Sequence, residues 1–514
     1  MNKPADLKTI TPARTEHFDV LIVGAGISGV GGAYHLQQQC AGTSFVILES
    51  QESFGGTWRT HRYPGIRSDS DLYTFGYRFK PWTGAPIATA EKILNYMREV
   101  IDENDIARHI RYQHRITSAK WSSKDNRWTI DAVRTDTGEA LRFSANFLWM
   151  CQGYYRHSEG YTPEWKGMDS FEGEIVHPQT WPEDLDYTGK KVVVIGSGAT
   201  AATLIPAMAD DCEHITMLQR SPTFFRTGRN AIEIADELRE LNIDESWIHE
   251  IVRRKILYEQ DVFTNRSFSE PEVVKKELLD GVRAVLGEDY DIDSHFTPRY
   301  RPWRQRIAFI PDADLFQAVR DGKASVVTDE IECFTPKGIK LKSGKELEAD
   351  IVVTATGFNL NVLGDIAFTI DGKPLDFSET LTWRATMFTG IPNMAWVFGY
   401  FRASWTLRSD LVADFVCRLL NYMKEKGVTK VTPALRPEDK DMPILPWVET
   451  ENFNPGYVMR GVHLMPKQGD KQPWRHTQDY WNDKDELPAA DLEDGSLVYE
   501  TAASEVPVSK SSLG

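Results

Sequence analysis

Two stretches of the chain share one pattern: a short apolar run, a glycine-rich turn, then small residues that open a helix. The first is FDVLIVGAGISGVGGAYHL (18–36) and the second is KKVVVIGSGATAATLIPAM (190–208). Each is followed by another apolar run, SFVILE (44–49) and HITMLQR (214–220), which predicts a βαβ unit of about thirty residues in each place. Between the two, RITSAKW, NRWTIDAVR and LRFSANFLWMCQG alternate or run apolar between turn residues and predict strands. From Asn230 to about His295 the period lengthens, and Ile248, Ile251, Val252 and Ile256 at helical spacing predict a helical insertion. Strands are predicted again at ASVVTD, KGIKLKSG and ADIVVTATGF (349–358). Ser409 to Lys426 reads as an amphipathic helix, with Leu411, Phe415, Leu419 and Tyr422 on one face and Gly427 placed to cap it.

The fold class predicted is α/β: two Rossmann-like dinucleotide-binding domains of three layers, the second inserted in the first and carrying a helical insertion. The expected boundaries are 1–155 for the first part of the first domain and 156–229 for a linker and the first part of the second. The helical insertion covers 230–299, the second domain resumes over 300–350, the first resumes over 351–500, and 501–514 is a disordered tail.

Composition narrows the function. The 514 residues are 41% hydrophobic and 26% charged, which excludes a fibrous or disordered chain. Lys and Arg number 59 against 75 Asp and Glu, and the net charge of -16 repels phosphate backbones, so nucleic acid is not an expected partner. Five cysteines (Cys40, Cys151, Cys212, Cys333, Cys417) form no CxxC pair and no metal-ligand cluster, which points to a reducing compartment and no metal. The opening MNKPADLKTITPART has no signal-peptide core, and no stretch approaches the ~18 apolar residues that span a bilayer. The expected location is the cytoplasm, with no integral membrane segment.

The glycine turns carry the chemistry. Gly24, Gly26 and Gly29 form GxGxxG after a strand, and Glu49 ends the next strand, where an acid can bind a ribose 2′-hydroxyl, an arrangement that suits FAD. In the second turn Gly196, Ser197, Gly198, Ala199, Thr200 and Ala201 give GxGxxA, but that unit's strand ends in Arg220 and Ser221. A guanidinium and a hydroxyl bind a 2′-phosphate that an acid would repel, so this site is expected to prefer NADP; a surface ion pair is the alternative for Arg220. Residues 54–73, FGGTWRTHRYPGIRSDSDLY, hold no cysteine, which excludes a thiol relay and leaves oxygen as the expected electron acceptor.

The segment FEGEIVHPQTWPED (171–184) sets Phe171, Gly173, His177, Trp181 and Pro182 in the order FxGxxxHxxxWP. With YPGIRSDSD, VVVIGSGAT, QRSPT, RPWRQRI, ASWTL and PKQG, the chain from Phe18 to about Arg475 resembles the Baeyer–Villiger monooxygenases of the single-chain FAD and NADPH type, in their ethionamide-activating branch. That resemblance implies conversion of ketones to esters or lactones by NADPH and molecular oxygen through a C4a-peroxyflavin, with thioethers as a second class of small-molecule substrate. It implies Arg306 as the stabilising cation, with Arg304 and Arg301 as rivals, and Asp69 as the carboxylate beside it, with Asp71 as rival. It also implies cofactor contacts at Gly55, Gly56, Thr57, Trp58, Arg67, Ser68, Asp69 and Ile116, a return linker at Ala355-Thr356-Gly357, and Ser404 and Trp405 near the flavin ring. Relatives often carry a lysine where this chain has Gln305, which leaves more of the coenzyme choice to Arg220. The fingerprint precedes the second βαβ unit, so His177 is expected to pin a hinge rather than to donate a proton to the reaction. Two enzyme alternatives share most of the motifs, S- or N-oxygenating flavin monooxygenases and long-chain alkane hydroxylases, though the former lack the Trp-Pro pair. A nucleotide-binding redox sensor is the non-enzyme alternative.

Overall fold

The computed structural model describes residues 15–501, so the expectations for the first fourteen residues and for the tail beyond 501 lie outside the described residues. Strand Thr15–Val23 enters a nine-stranded sheet and pairs in parallel with Phe45–Leu48 on one side and Ala140–Met150 on the other. Its last residues, Val20 to Val23, are buried on both faces, which explains the unbroken apolar run. The three runs between the glycine units fold as an antiparallel meander, His114–Ser122, Arg127–Arg134 and Ala140–Met150. Met394–Trp396, more than 240 residues later, returns to pair in parallel with Ala140–Met150.

The second glycine unit centres a five-stranded sheet in which every pairing is parallel. Lys191–Ile195 lies between His214–Gln219 and Ile351–Thr354, with Ala324–Thr328 and Glu174–Val176 at the edges. Two chain segments cross between the sheets, and they are tied together: Tyr155–Gly160 pairs antiparallel with Phe358–Leu360.

The helical stretch resolves into Glu233–Glu240, Glu245–Ser269, Pro271–Leu286 and Ile292–Phe296. Ile248, Val252 and Ile256 are buried as predicted and join the core around the first sheet, whereas Ile251 is 37% exposed and faces outward. The spacing of four isoleucine and valine positions fits more than one stripe of a helix, and three of them suffice to bury it. The long helix near the carboxyl end begins at Trp405, four residues before the predicted start, and ends at Gly427 with φ +65 as predicted. Ser404, in extended backbone, precedes it, and the Trp405 indole donates to Ser28 Oγ at 2.8 Å, so a contact with helix Ile27–Gln39 anchors a turn that periodicity alone did not reveal. Among the described residues no helix is long and apolar enough to cross a membrane.

Candidate active site between two glycine turns

The two turns open on one cleft of about 1220 Å³. At the first, Gly24 has φ +96, and a Cβ on Gly29 would lie 1.9 Å from the Gly24 carbonyl oxygen, so both positions require glycine. Gly26 precedes the helix Ile27–Gln39 and Gly198 precedes Ala199–Met208; neither helix start is capped by a side chain, so its first amides remain open to an anion. A Cβ on Gly198 would meet nothing within 4 Å, which leaves open space in front of the second turn. A pyrophosphate fits both cradles on that geometry.

Glu49 lines the cleft, as a ribose-binding acid should, and it also braces the turn. Its carboxylate accepts the Ala25 N–H at 2.8 Å and the Gln51 N–H at 2.8 Å, so one acid closes the glycine loop and stays available at its rim. Gly56, Thr57, Trp58 and Ile116 line the same space, and Trp58 stands edge-on to Phe75 at 5.6 Å. Arg67 and Ser68 also line it, but the structure gives them partners in the protein. Arg67 grips Asp314, with Nη2 3.1 Å from Oδ1, and Ser68 Oγ accepts from Ser70 N at 3.0 Å.

At the second turn Ser197 Oγ lies 2.8 Å from Thr223 Oγ1, and Ala201 is fully buried where the helix meets the sheet. Arg220 and Ser221 line the cleft and are exposed, and Arg220 makes no ion pair among the described residues. Glu330 lines the same rim and is held ionised by Lys342, with Arg220 adding to the effect.

Arg306 lines the cleft that both turns share, with Nη2 3.7 Å from Asp69 Oδ2 and both side chains about one-third exposed (33% and 34%). Desolvation works against its charge, but the Asp69 carboxylate beside it more than offsets this and keeps the guanidinium protonated. The rivals stand outside the cleft. Arg301 donates to Asn452 and lies over the Phe268 ring at 4.0 Å, the Arg304 Nε is buried without a partner, and neither lines the cleft. Asp71 caps the short helix Leu72–Phe75 by accepting from Thr74 N at 2.8 Å.

The fingerprint lies behind this site. His177 does not line the cleft; its Nε2 is 3.2 Å from the Gly357 carbonyl oxygen, and its Nδ1 accepts the Gln179 N–H at 3.1 Å. A Cβ on Gly160 would lie 1.9 Å from the ring, so His177 clasps both crossing strands. Burial lowers its pKa and keeps the imidazole neutral. Gly173 approaches Asp350, where a Cβ would lie 2.2 Å from the carbonyl oxygen, and Phe171 packs edge-on to Phe334 at 5.9 Å. Trp181 packs on the core of the second sheet, and the Pro182 carbonyl accepts from Leu185 N at 3.5 Å.

Sequence reasoning missed the aromatic wall beside Arg306. Tyr154 and Tyr155 share a 2.6 Å hydroxyl contact, Tyr154 stacks on Trp405 at 5.0 Å, and Tyr155 meets Phe358 at 4.6 Å. Tyr457 arrives from the helix Gly456–Gly461 to within 5.8 Å of Tyr155. No local motif marks these residues; only the QGYY turn after an apolar strand hinted that the chain leaves the sheet there.

Residues 22–84 match the NAD(P)-binding Rossmann-like domain, and residues 85–229 match the flavin-binding monooxygenase-like family. The FAD-containing monooxygenase EthA of Mycobacterium tuberculosis is 48% identical over 487 residues, covering 94% of this chain and 98% of its own. The probable FAD-binding monooxygenase AlmA of Acinetobacter baylyi is 43% identical, over 94% of this chain and 96% of its own. Among solved structures, an oxidised steroid monooxygenase bound to NADP superposes with TM-score 0.69 at 25% identity, over 82% of this chain and 88% of that one. A cyclohexanone monooxygenase at 22% identity, with TM-score 0.66 over 82% and 91%, shares the fold. With such identity along nearly its whole length, the chain belongs to the flavin-binding, FAD-containing monooxygenases, near the EthA branch.

Proposed function

We propose that this monooxygenase uses NADPH and molecular oxygen to convert ketones to esters or lactones, and oxidises thioethers in the same cleft. In this reading the first turn, Glu49 and Gly56 to Trp58 hold FAD, while the second turn, Arg220 and Ser221 hold NADPH. The observation that carries it is Arg306, a permanent cation that lines, with Asp69, the one cleft on which both glycine turns open.

When bound and reduced, the flavin supplies the activation of oxygen. The protein's part is electrostatic. A guanidinium stabilises negative charge that develops beside it and does not release a proton at working pH, whereas a lysine ammonium could. Asp69, 3.7 Å from Arg306 Nη2, balances its charge within the cleft. Tyr154, Tyr155 and Phe358 pack on one another as an aromatic wall of the same cleft. His177 takes no part in proton transfer and ties the crossing strands.

Incubation with NADPH, air and a linear ketone such as 2-decanone, read by mass spectrometry, should yield the ester. Sulfoxide from a thioether with no ester from any member of a broad ketone panel would remove the ketone reading and leave S-oxygenation.

A further inference from the structure

Arg220 leaves the second sheet in acidic company. The strand His214–Gln219 pairs in parallel with Ala324–Thr328, the register sets Gln219 beside Thr328, and the Asp329 N–H donates to the Gln219 carbonyl at 2.9 Å. Arg220 and the acids Asp329 and Glu330 therefore come off neighbouring strand ends, and all three line the cleft. Lys342 joins them from the following hairpin. Ile331 pairs with Leu341, so Glu330 and Lys342 face each other just beyond that pair, and the Lys342 N–H donates to the Glu330 carbonyl at 2.8 Å.

The two acids have different duties. The Asp329 carboxylate ties the turn, accepting the Glu330 N–H at 2.7 Å and the Ser343 N–H at 3.3 Å. The Glu330 carboxylate takes no backbone hydrogen bond among the described residues; it is 52% exposed and paired with the Lys342 ammonium. An exposed pair of this kind adds little to stability, so the turn does not depend on Glu330. The charges nonetheless matter to a ligand. Arg220 and Lys342 are offset by Asp329 and Glu330, so these four groups sum to zero where a 2′-phosphate would bring roughly two negative charges. At the end of this strand of a βαβ unit an acid repels that phosphate and an arginine attracts it, and here both kinds of group share one rim.

We propose that Glu330 is a specificity-determining residue that acts as an anionic brake: its carboxylate opposes the 2′-phosphate that Arg220 attracts, and the balance of the two sets how far the enzyme favours NADPH over NADH. This inference rests on the NADPH reading above. It adds an opposing group to a subsite that the strand-end pattern assigns to Arg220 and Ser221 alone, and such repulsive elements are a general means of tuning specificity.

The test compares NADP+ with NAD+, which differ only in the 2′-phosphate. Affinities are measured by calorimetry on the FAD-loaded protein, wild type against Glu330→Gln, with the melting temperature as control for folding. The variant keeps the size of the side chain and removes its charge. It should bind NADP+ about fivefold more tightly than the wild type, the scale of one charge contact at an exposed site, and bind NAD+ as before. The gain should shrink at high salt, where exposed charges are screened. An NADP+ affinity that is unchanged or lower, an equal gain for both nucleotides, or a gain that salt leaves intact overturns the proposal. Arg220→Ala in the same assay separates the two readings. If it weakens NADP+ alone while Glu330→Gln changes nothing, only the brake fails. If neither variant moves NADP+ relative to NAD+, the placing of the 2′-phosphate at this strand end fails with it.

Discussion

At the scale of single residues, the account rests on two arginines with different duties. If Arg306 stabilises the developing negative charge as proposed, Arg306→Ala should keep FAD bound while product formation falls by about 10²-fold or more, the usual effect of removing a preorganised charge. Flavin absorbance and product yield on the same sample check this, and retained ester formation would move the role elsewhere. Arg220 is exposed and makes no ion pair among the described residues, as a phosphate-binding residue would be before its ligand arrives. Arg220→Ala should raise the KM for NADPH about tenfold or more and leave NADH use almost unchanged, because only a charge-assisted contact to the 2′-phosphate is lost. Equal effects on both coenzymes would contradict it. Arg220 was legible because it ends the second strand of a βαβ unit, whereas Arg306 was reached only through the resemblance that RPWRQRI helps to carry. Tyr457 was not legible: its meaning comes from its contact with Tyr155 inside a cleft assembled from distant segments, and no short pattern encodes that.

At the scale of elements, glycine spacing identified both βαβ units because a close approach of helix and strand leaves no room for a side chain. Gly29→Ala would put its Cβ 1.9 Å from the Gly24 carbonyl oxygen, and overpacking of this kind costs about 1–3 kcal/mol. The expected outcome is a lower melting temperature with loss of bound flavin, whereas an unperturbed, fully loaded variant would contradict the close packing. The helix Trp405–Lys426 was harder to delimit, since its first turn is anchored by Ser28 and Thr74 rather than by periodicity. It is joined to helix Ile27–Gln39 by a buried histidine, His35, with Nε2 3.6 Å from Asp410 and Nδ1 3.2 Å from Asp414. Burial lowers the His35 pKa, but the two carboxylates more than reverse this and raise it from 6.5 to about 9. The protonated form is therefore favoured by folding. Its contribution, about 3 kcal/mol, is complete below pH 6.5 and is lost as pH rises through about 9. His35→Gln should flatten the fall in melting temperature between those two pH values; an unchanged slope would exclude the pairing.

At the scale of the whole molecule, the two sheets carry one nucleotide cradle each, and catalysis requires the cradles to be held in register. The crossing strands Tyr155–Gly160 and Phe358–Leu360 do this, and His177 clasps them through Gly160 and Gly357. Gly160→Ala would drive a Cβ to 1.9 Å from that ring, so NADPH-dependent flavin reduction should slow at least tenfold in a variant that keeps its FAD, read by the bleaching of flavin absorbance in the absence of oxygen. The two-sheet plan was legible from two copies of one pattern. The packing of helix Glu245–Ser269 against the first sheet's core was not, because an insertion's apolar stripe says that it is buried and not against what.

Turnover of a ketone under isotopically labelled dioxygen decides whether a flavin and NADPH meet beside Arg306 and deliver one oxygen atom to an organic substrate. The yellow, FAD-loaded protein should consume one NADPH per ester formed and place a single labelled oxygen atom in that ester. Unlabelled product, or a purified protein that carries no flavin, would contradict it.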